Sequence, residues 1–322
     1  MLSRVAENLY WMARYLERAE NTARLINTTS QVRLDLPRGA SFGWDILLKV
    51  VGLDALFNEH YTEVNEANVM RFLVQDERNP SSILSGIHSA RENSRTFREV
   101  LPKEFWERVN GLYLYIRAYA PAAAQHQGQR YEVLSQVVER SQSLAGMLVG
   151  CMSHDLAFQF IELGRNLERA DMTTRIIDIN SAVLLPRDGS ALEPIQERLW
   201  MSVLKALSAY QMYRRHVDVH VRGTAALSYI LLDTHFPRTA RYCLAKVDEC
   251  LSTLPNHNDA MKAARRAWRR LVGLRWEGLT PAVLHEYLDQ TQKDLGAIHT
   301  AISAQYFCRD QPKTLPPERQ AA

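Results

Sequence analysis

Arg14-Tyr15-Leu16-Glu17-Arg18-Ala19-Glu20 returns later in the chain as Arg165-Asn166-Leu167-Glu168-Arg169-Ala170-Asp171. The register holds beyond it, with Thr22, Arg24 and Ile26 answered by Thr173, Arg175 and Ile177. At about 100° per residue, each copy divides into two helical faces. Val5, Leu9, Met12, Leu16, Ala19, Ala23 and Ile26 form the apolar stripe of the first. Leu156, Phe160, Leu163, Leu167, Ala170 and Ile177 form that of the second. The other faces carry Arg14, Glu17, Arg18 and Arg24, then Arg165, Glu168, Arg169 and Arg175. Two amphipathic helices with one polar pattern are the seed of the fold.

Further along the chain, Trp44 with Leu47 and Leu48 answers Trp200 with Val203 and Leu204, Asp76 with Pro80 answers Asp233 with Pro237, and Trp106 answers Trp268. A period of roughly 155 residues is too long for a solenoid and implies duplication of a whole unit. Strand signals are nearly missing, while apolar spacings of three and four dominate. They predict helices near 3–34, 42–58, 65–75, 81–100, 103–120, 130–152, 155–183, 193–221, 224–233, 238–254, 258–275 and 281–309. The expected fold is all-α: a duplicated bundle of about twelve helices, two six-helix repeats with pseudo-two-fold symmetry. Residues 1–153 form the first repeat and 154–310 the second, packed as one globular unit. The Pro-rich polar stretch 311–322 reads as a disordered tail.

With 46% apolar and 23% charged residues the composition is that of an ordinary globular protein. A net charge of +3 is too small to imply a nucleic-acid partner. Glu7 and Arg14 interrupt the first apolar residues, so no signal-peptide core is expected. No stretch approaches the ~18 apolar residues of a membrane span. Cys151, Cys243, Cys250 and Cys308 lack CxxC spacing and read as buried free thiols of a reducing compartment. A cytoplasmic location is expected, with no membrane contact.

A merely solvated face would drift between copies, yet Arg, Glu, Arg and Arg recur at the same angular positions while Asn21 and Met172 differ. Fixed partners follow. They could be an internal ion-pair network, with Glu17 braced by Arg14 and Arg24, or a cleft for an anionic ligand. A plain solvated face is the third reading.

The paired Leu-Glu-Arg-Ala helices, with Asn79-Pro80-Ser81-Ser82-Ile83 and Ala90-Arg91-Glu92-Asn93 between them, closely resemble the bacterial alpha-E domain family over about residues 1–310. The resemblance implies an all-helical, often duplicated domain. It implies motif residues Glu17, Arg18, Glu168 and Arg169, and a second segment at Arg91, Glu92 and Asn93. The second repeat keeps Pro237 and Arg238 but has Lys246-Val247-Asp248-Glu249 where that segment would stand. Genes of the family typically neighbour a circularly permuted ATP-grasp protein and a transglutaminase-like protein. The implied partners are therefore these proteins, with a peptide or amino-acid substrate.

Other patterns carry less. His216 and His220 at i,i+4 spacing suggest a metal pair, but no Glu follows the first His as metalloprotease chemistry requires. No metal site is expected. Lys262, Arg265, Arg266, Arg269 and Arg270 form a basic stripe around Trp268, an exposed helix face that an acidic protein or RNA could meet. Ser153-His154-Asp155 is not a triad, because consecutive residues point in different directions. With no Gly-rich phosphate loop and no GxSxG, neither a cofactor nor a catalytic residue is expected. The function these observations favour is a non-catalytic partner or substrate-presenting subunit of an ATP-grasp-linked peptide system. An enzyme using Glu17 and Glu168, or a basic nucleic-acid-binding module, is the alternative.

Overall fold

A computed structural model describes residues 3–35, 43–184, 193–276 and 279–307. Among them are fourteen helices and no strand. The first seven are α1 (Ser3–Asp35), α2 (Asp45–Val51), α3 (Asp54–His60), α4 (Glu66–Val74), α5 (Ile83–Thr96), α6 (Lys103–Gln125) and α7 (Gln127–Cys151). The remainder are α8 (Leu156–Leu184), α9 (Glu193–Ala206), α10 (Tyr210–His216), α11 (Gly223–Leu232), α12 (Ala240–Thr253), α13 (Asn258–Val272) and α14 (Pro281–Tyr306). The segments 36–42, 185–192 and 308–322, which include Cys308 and the expected tail, lie outside the described residues.

Fourteen replaces the expected twelve because two predicted helices are each broken once, and in the same way. The span 42–58 stops at Gly52, in the left-handed region at φ 68°. The span 193–221 stops at Ser208, at φ 56°. In each, the left-handed residue donates to the carbonyl three back (Lys49, Lys205), and the next residue donates to the carbonyl five back (Leu48, Leu204). This is the Schellman closure of a helix end. Glycine announces it at position 52, whereas serine hides it at 208. The predicted end of α6 is also corrected: the helix runs through Pro121 to Gln125. Pro121 and Arg117 are both exposed, so water can take the Arg117 carbonyl that the missing N–H leaves free.

Helix starts correspond as well. Ser82 caps α5 by accepting from the Ser85 N–H, and Thr239 caps α12 by accepting from the Tyr242 N–H. Upstream, the Asp76 carboxylate takes the Arg78 N–H and the Asp233 carboxylate the His235 N–H.

Helices α1 and α8 sit side by side in the middle of one continuous apolar core. Their contacts advance together, from Tyr10 with Gly164, through Arg14 with Glu168, to Leu25 and Thr28 near Ile176, so the two run parallel. Leu16 and Leu167 are buried. Leu156, assigned to the apolar stripe, is instead exposed at the first residue of α8, before the helix reaches its neighbours. At Gly164 the backbones come close: a Cβ there would lie 2.3 Å from the Tyr10 carbonyl oxygen. Among the described residues, no helix is long and apolar enough to cross a membrane.

Two urea-denaturation experiments check this packing. Gly164→Ala must push α8 off the α1 backbone and should cost ~1–3 kcal/mol. Leu167→Ala leaves a cavity and should cost ~2–5 kcal/mol.

Candidate functional site

Because α1 and α8 are parallel and in register, the Glu-Arg pair of each meets that of the other. Glu17 lies 2.9 Å from Arg169 Nε, and Glu168 receives Arg18 Nε at 2.6 Å and Nη2 at 3.0 Å. The exchange is reciprocal: each carboxylate is held by the guanidinium that follows its counterpart. Glu17 also accepts from Arg238 Nη1 at 2.8 Å, and Glu168 from Arg14 Nε at 2.7 Å. Both glutamates are buried, Glu17 at 4% and Glu168 at 2% exposure, which excludes the solvated-face reading.

The expected braces of Glu17, Arg14 and Arg24, are displaced. Arg14 has turned to Glu168 and stacks 5.2 Å from the Trp11 ring centroid. Arg24 pairs with Glu20 at 2.8 Å and donates to Ser208 Oγ at 2.5 Å. Arg175 repeats that geometry, pairing with Asp171 at 2.8 Å while its Nη1 comes within 3.0 Å of where a Gly52 Cβ would be. Arg165 is the exception. It bonds Glu162 one turn earlier at 2.5 Å, and Trp11 stands at the matching place in α1.

Two residues beyond the expected binding set, Tyr10 of the same polar face and Arg238, complete the network. Arg238 bridges Glu17, Asn21 at 2.7 Å and Glu20 at 2.5 Å, with Glu20 buried. Tyr10 is fully buried, its hydroxyl 2.9 Å from His299 Nδ1. The only available signal for Arg238 was its place after Pro237, matching Ser81 after Pro80.

Burial by itself would push both glutamate carboxyls up. The guanidiniums overrule it and hold both at about 2: Arg169 then Arg238 at Glu17, Arg18 then Arg14 at Glu168. His299 is pulled down to about 4 by burial and by the charge of Arg14. The Cys243 thiol, buried beside Arg169 and Glu17, is pushed up to about 12 by burial. The arrangement can therefore hold fixed charges, and its carboxylates have no proton to give near neutral pH.

On the outer side, Arg14, Arg18, Ser81, Glu168 and Asp171 border a cleft of about 220 Å³ between α1 and α8. The other expected residues lie elsewhere. Arg91 pairs with Glu92, donates to Asn110 at 2.7 Å and sits over Trp106 and Tyr113 of α6, joining α5 to α6. Within the basic stripe, Arg266 and Arg270 both bind buried Asp294 and Lys262 binds Asp259, while Arg265 and Arg269 are exposed and make no such pair among the described residues. α10 ends at His216, so His220 is not one turn further along the same helix and the pair loses its geometry. Cys243 and Cys250 are buried, but Cys151 is exposed at the end of α7, against expectation.

An all-helical bundle centred on two reciprocally paired Glu-Arg helices is the class of protein this defines. The chain belongs to the Alpha-E family, described as a predicted alpha-helical domain with a conserved ER motif, which matches residues 1–307. An uncharacterized protein of Mycobacterium bovis is 24% identical over 288 residues, covering 81% of this chain and 31% of its own length. Uncharacterized proteins of two Mycobacterium tuberculosis strains match at 24% and 23% identity over the same extent. The chain thus spans about a third of the length of these relatives. No solved structure matches.

Glu17→Gln or Glu168→Gln leaves buried guanidiniums without their counter-charge and should cost ~3–5 kcal/mol in urea melts. Acid should act on the same groups. Glu17, Glu168 and His299 all bind fewer protons folded than unfolded, so each contribution is lost as pH falls. The imidazole acts from about 6.5 down to about 4, and the carboxylates from about 4.5 down to about 2. Stability measured against pH should therefore drop most steeply below about 4.5. The difference between wild type and His299→Gln should be confined to the upper window.

Proposed function

We propose that the chain, two copies of one seven-helix unit, is a non-catalytic partner or substrate-presenting subunit of an ATP-grasp-linked peptide synthesis or modification system. The observation that carries this reading is the saturation of both motif glutamates. A general acid needs a proton to donate near neutral pH, and a nucleophile must be reachable. Glu17 and Glu168 are buried anions, each held by two guanidiniums. The motif joins helices, and the parts left to meet other molecules are the outer surface and the α1–α8 cleft. The relatives' length favours the same role: in them the matched region is 31% of a longer chain, so it operates beside other sequence. The partners in this reading are the ATP-grasp and transglutaminase-like proteins, and the location is cytoplasmic.

Co-expression of the chain with an ATP-grasp protein from the same genome, followed by size-exclusion chromatography, tests the proposal. Co-elution is the expected result. Charge reversal at Arg265 and Arg269, which are exposed and not bound to Asp294, should weaken binding roughly tenfold, the equivalent of about 1.4 kcal/mol. Turnover of a peptide or amino-acid substrate by the chain alone would overturn it, provided that turnover disappears in a folded Glu168→Asp variant.

A further inference from the structure

At one position beside the paired helices the two halves diverge. Arg238, one residue before the Thr239 cap of α12, reaches across Glu17, Asn21 and Glu20. The matching residue, one before the Ser82 cap of α5, is Ser81. Opposite it, Asp171 replaces Glu20 and Met172 replaces Asn21, and where Arg238 would stand only the Ser81 hydroxyl remains, accepting from Arg18 Nη1 at 3.2 Å. The cleft of about 220 Å³ lies there, with Ser81, Thr22 and Arg175 on its walls.

Its chemistry is one-sided. Glu168 already takes three N–H groups from Arg14 and Arg18, and Asp171 takes Arg175 Nε. Three guanidiniums face two carboxylates, leaving one positive charge in surplus. The N-terminus of α5, beginning two residues after Ser81, adds its partial positive charge. A cationic ligand is disfavoured on both counts. A second, independent feature points the same way. The Thr22 hydroxyl is buried on the cleft wall with no hydrogen-bond partner, whereas that of Thr173 donates to the Arg238 carbonyl at 3.0 Å. An orphaned buried hydroxyl is costly unless something meets it.

We infer that this cleft binds the carboxylate of an amino-acid-sized acid, either free or as the C-terminal residue of a peptide. The one surplus charge matches a monoanion. Arg18 and Arg175, whose side chains keep 24% and 32% of their surface exposed, supply planar donors suited to a carboxylate, and Thr22 supplies a further hydroxyl. A cavity of ~150 Å³ admits benzene, so this one holds a carboxylate with a short side chain. The inference deepens the presenting role proposed above and rests on that role only for its purpose. The binding itself belongs to the chain alone.

The test is calorimetric titration of the purified chain with N-acetyl-alanine and N-acetyl-trialanine, each against its C-terminal amide. Both acids should bind, with each amide at least about tenfold weaker. The tighter acid then tells a free ligand from a peptide terminus. Ser81→Arg, which puts a side chain as long as that of Arg238 at the matching position, should plug the cleft and abolish binding. Should that variant unfold, Arg175→Gln and Thr22→Val provide the same test. Each should weaken the acids about tenfold or more, Thr22→Val with no loss of stability because its hydroxyl has no partner. The inference is overturned if the acids fail to bind the wild type, if acid and amide bind alike, if inorganic phosphate binds and the acids do not, or if these variants bind as the wild type does. Co-elution with the ATP-grasp protein alongside absent carboxylate binding would remove this inference and leave the partner reading standing. Carboxylate binding without co-elution would do the reverse.

Discussion

The reciprocal exchange of Glu17 with Arg169 and Glu168 with Arg18 sets how the two central helices lie. Buried ion pairs are weak sources of net stability, since the desolvation of both charges offsets most of their attraction. Their leverage is on specificity. The apolar stripes of α1 and α8 would tolerate several registers, because Leu, Ala and Ile surfaces pack adequately in more than one. The charges tolerate one. Sliding α8 along α1 by a single turn would carry Glu168 away from Arg14 and Arg18 and strand buried carboxylates and guanidiniums together. At Gly164 a bare Cα then lets the backbones close to the distance that side chains of this length require.

The same exchange explains which parts of the structure were legible beforehand. The recurrence of Arg, Glu, Arg and Arg in two copies was visible because an internal ion pair must keep both of its partners. The apolar stripes followed from spacing, since Leu16 and Leu167 obey the helical period and are buried. The pairing scheme was not legible, because spacing along one helix says nothing about which neighbouring helix supplies the counter-charge. Arg14 and Arg24 looked like braces for Glu17 on sequence distance alone. In three dimensions Arg14 is drawn to Glu168, for want of the acid that Arg165 finds in Glu162. Arg238 stood in view after Pro237, but as a single residue at a helix start it had no pattern to mark it. Ser208 shows the same limit. Its left-handed conformation is one that sequence rules look for at glycine.

Correspondence between the halves makes their differences interpretable. Where Ser82 and Thr239 cap equivalent helices, the neighbouring Ser81 and Arg238 can be compared atom for atom. A guanidinium fills one side and the other stays open, so the open side is a difference between halves and not an accident of loose packing. The unpaired Thr22 hydroxyl falls on that side, and its counterpart Thr173 is satisfied by the Arg238 backbone. One side of the paired helices is thus filled by a guanidinium, whereas the other leaves positive charge and donors facing a cavity.

The expected boundary between residues 153 and 154 falls in the short connection between α7 and α8, and the central ion pairs cross it. Both guanidiniums that hold Glu17, from Arg169 and Arg238, come from beyond that boundary. Both that hold Glu168, from Arg14 and Arg18, come from before it. Arg24 of α1 reaches Ser208, just past α9, while Arg175 of α8 lies against Gly52, just past α2. Each half thus supplies the counter-charges and the helix-end contacts of the other. Removing either half would strip a buried glutamate of both its cations and uncover the apolar stripe of a central helix at the same time. The penalties fall on the same residues, which ties the two central helices to each other, and the cleft between α1 and α8 takes its walls from both.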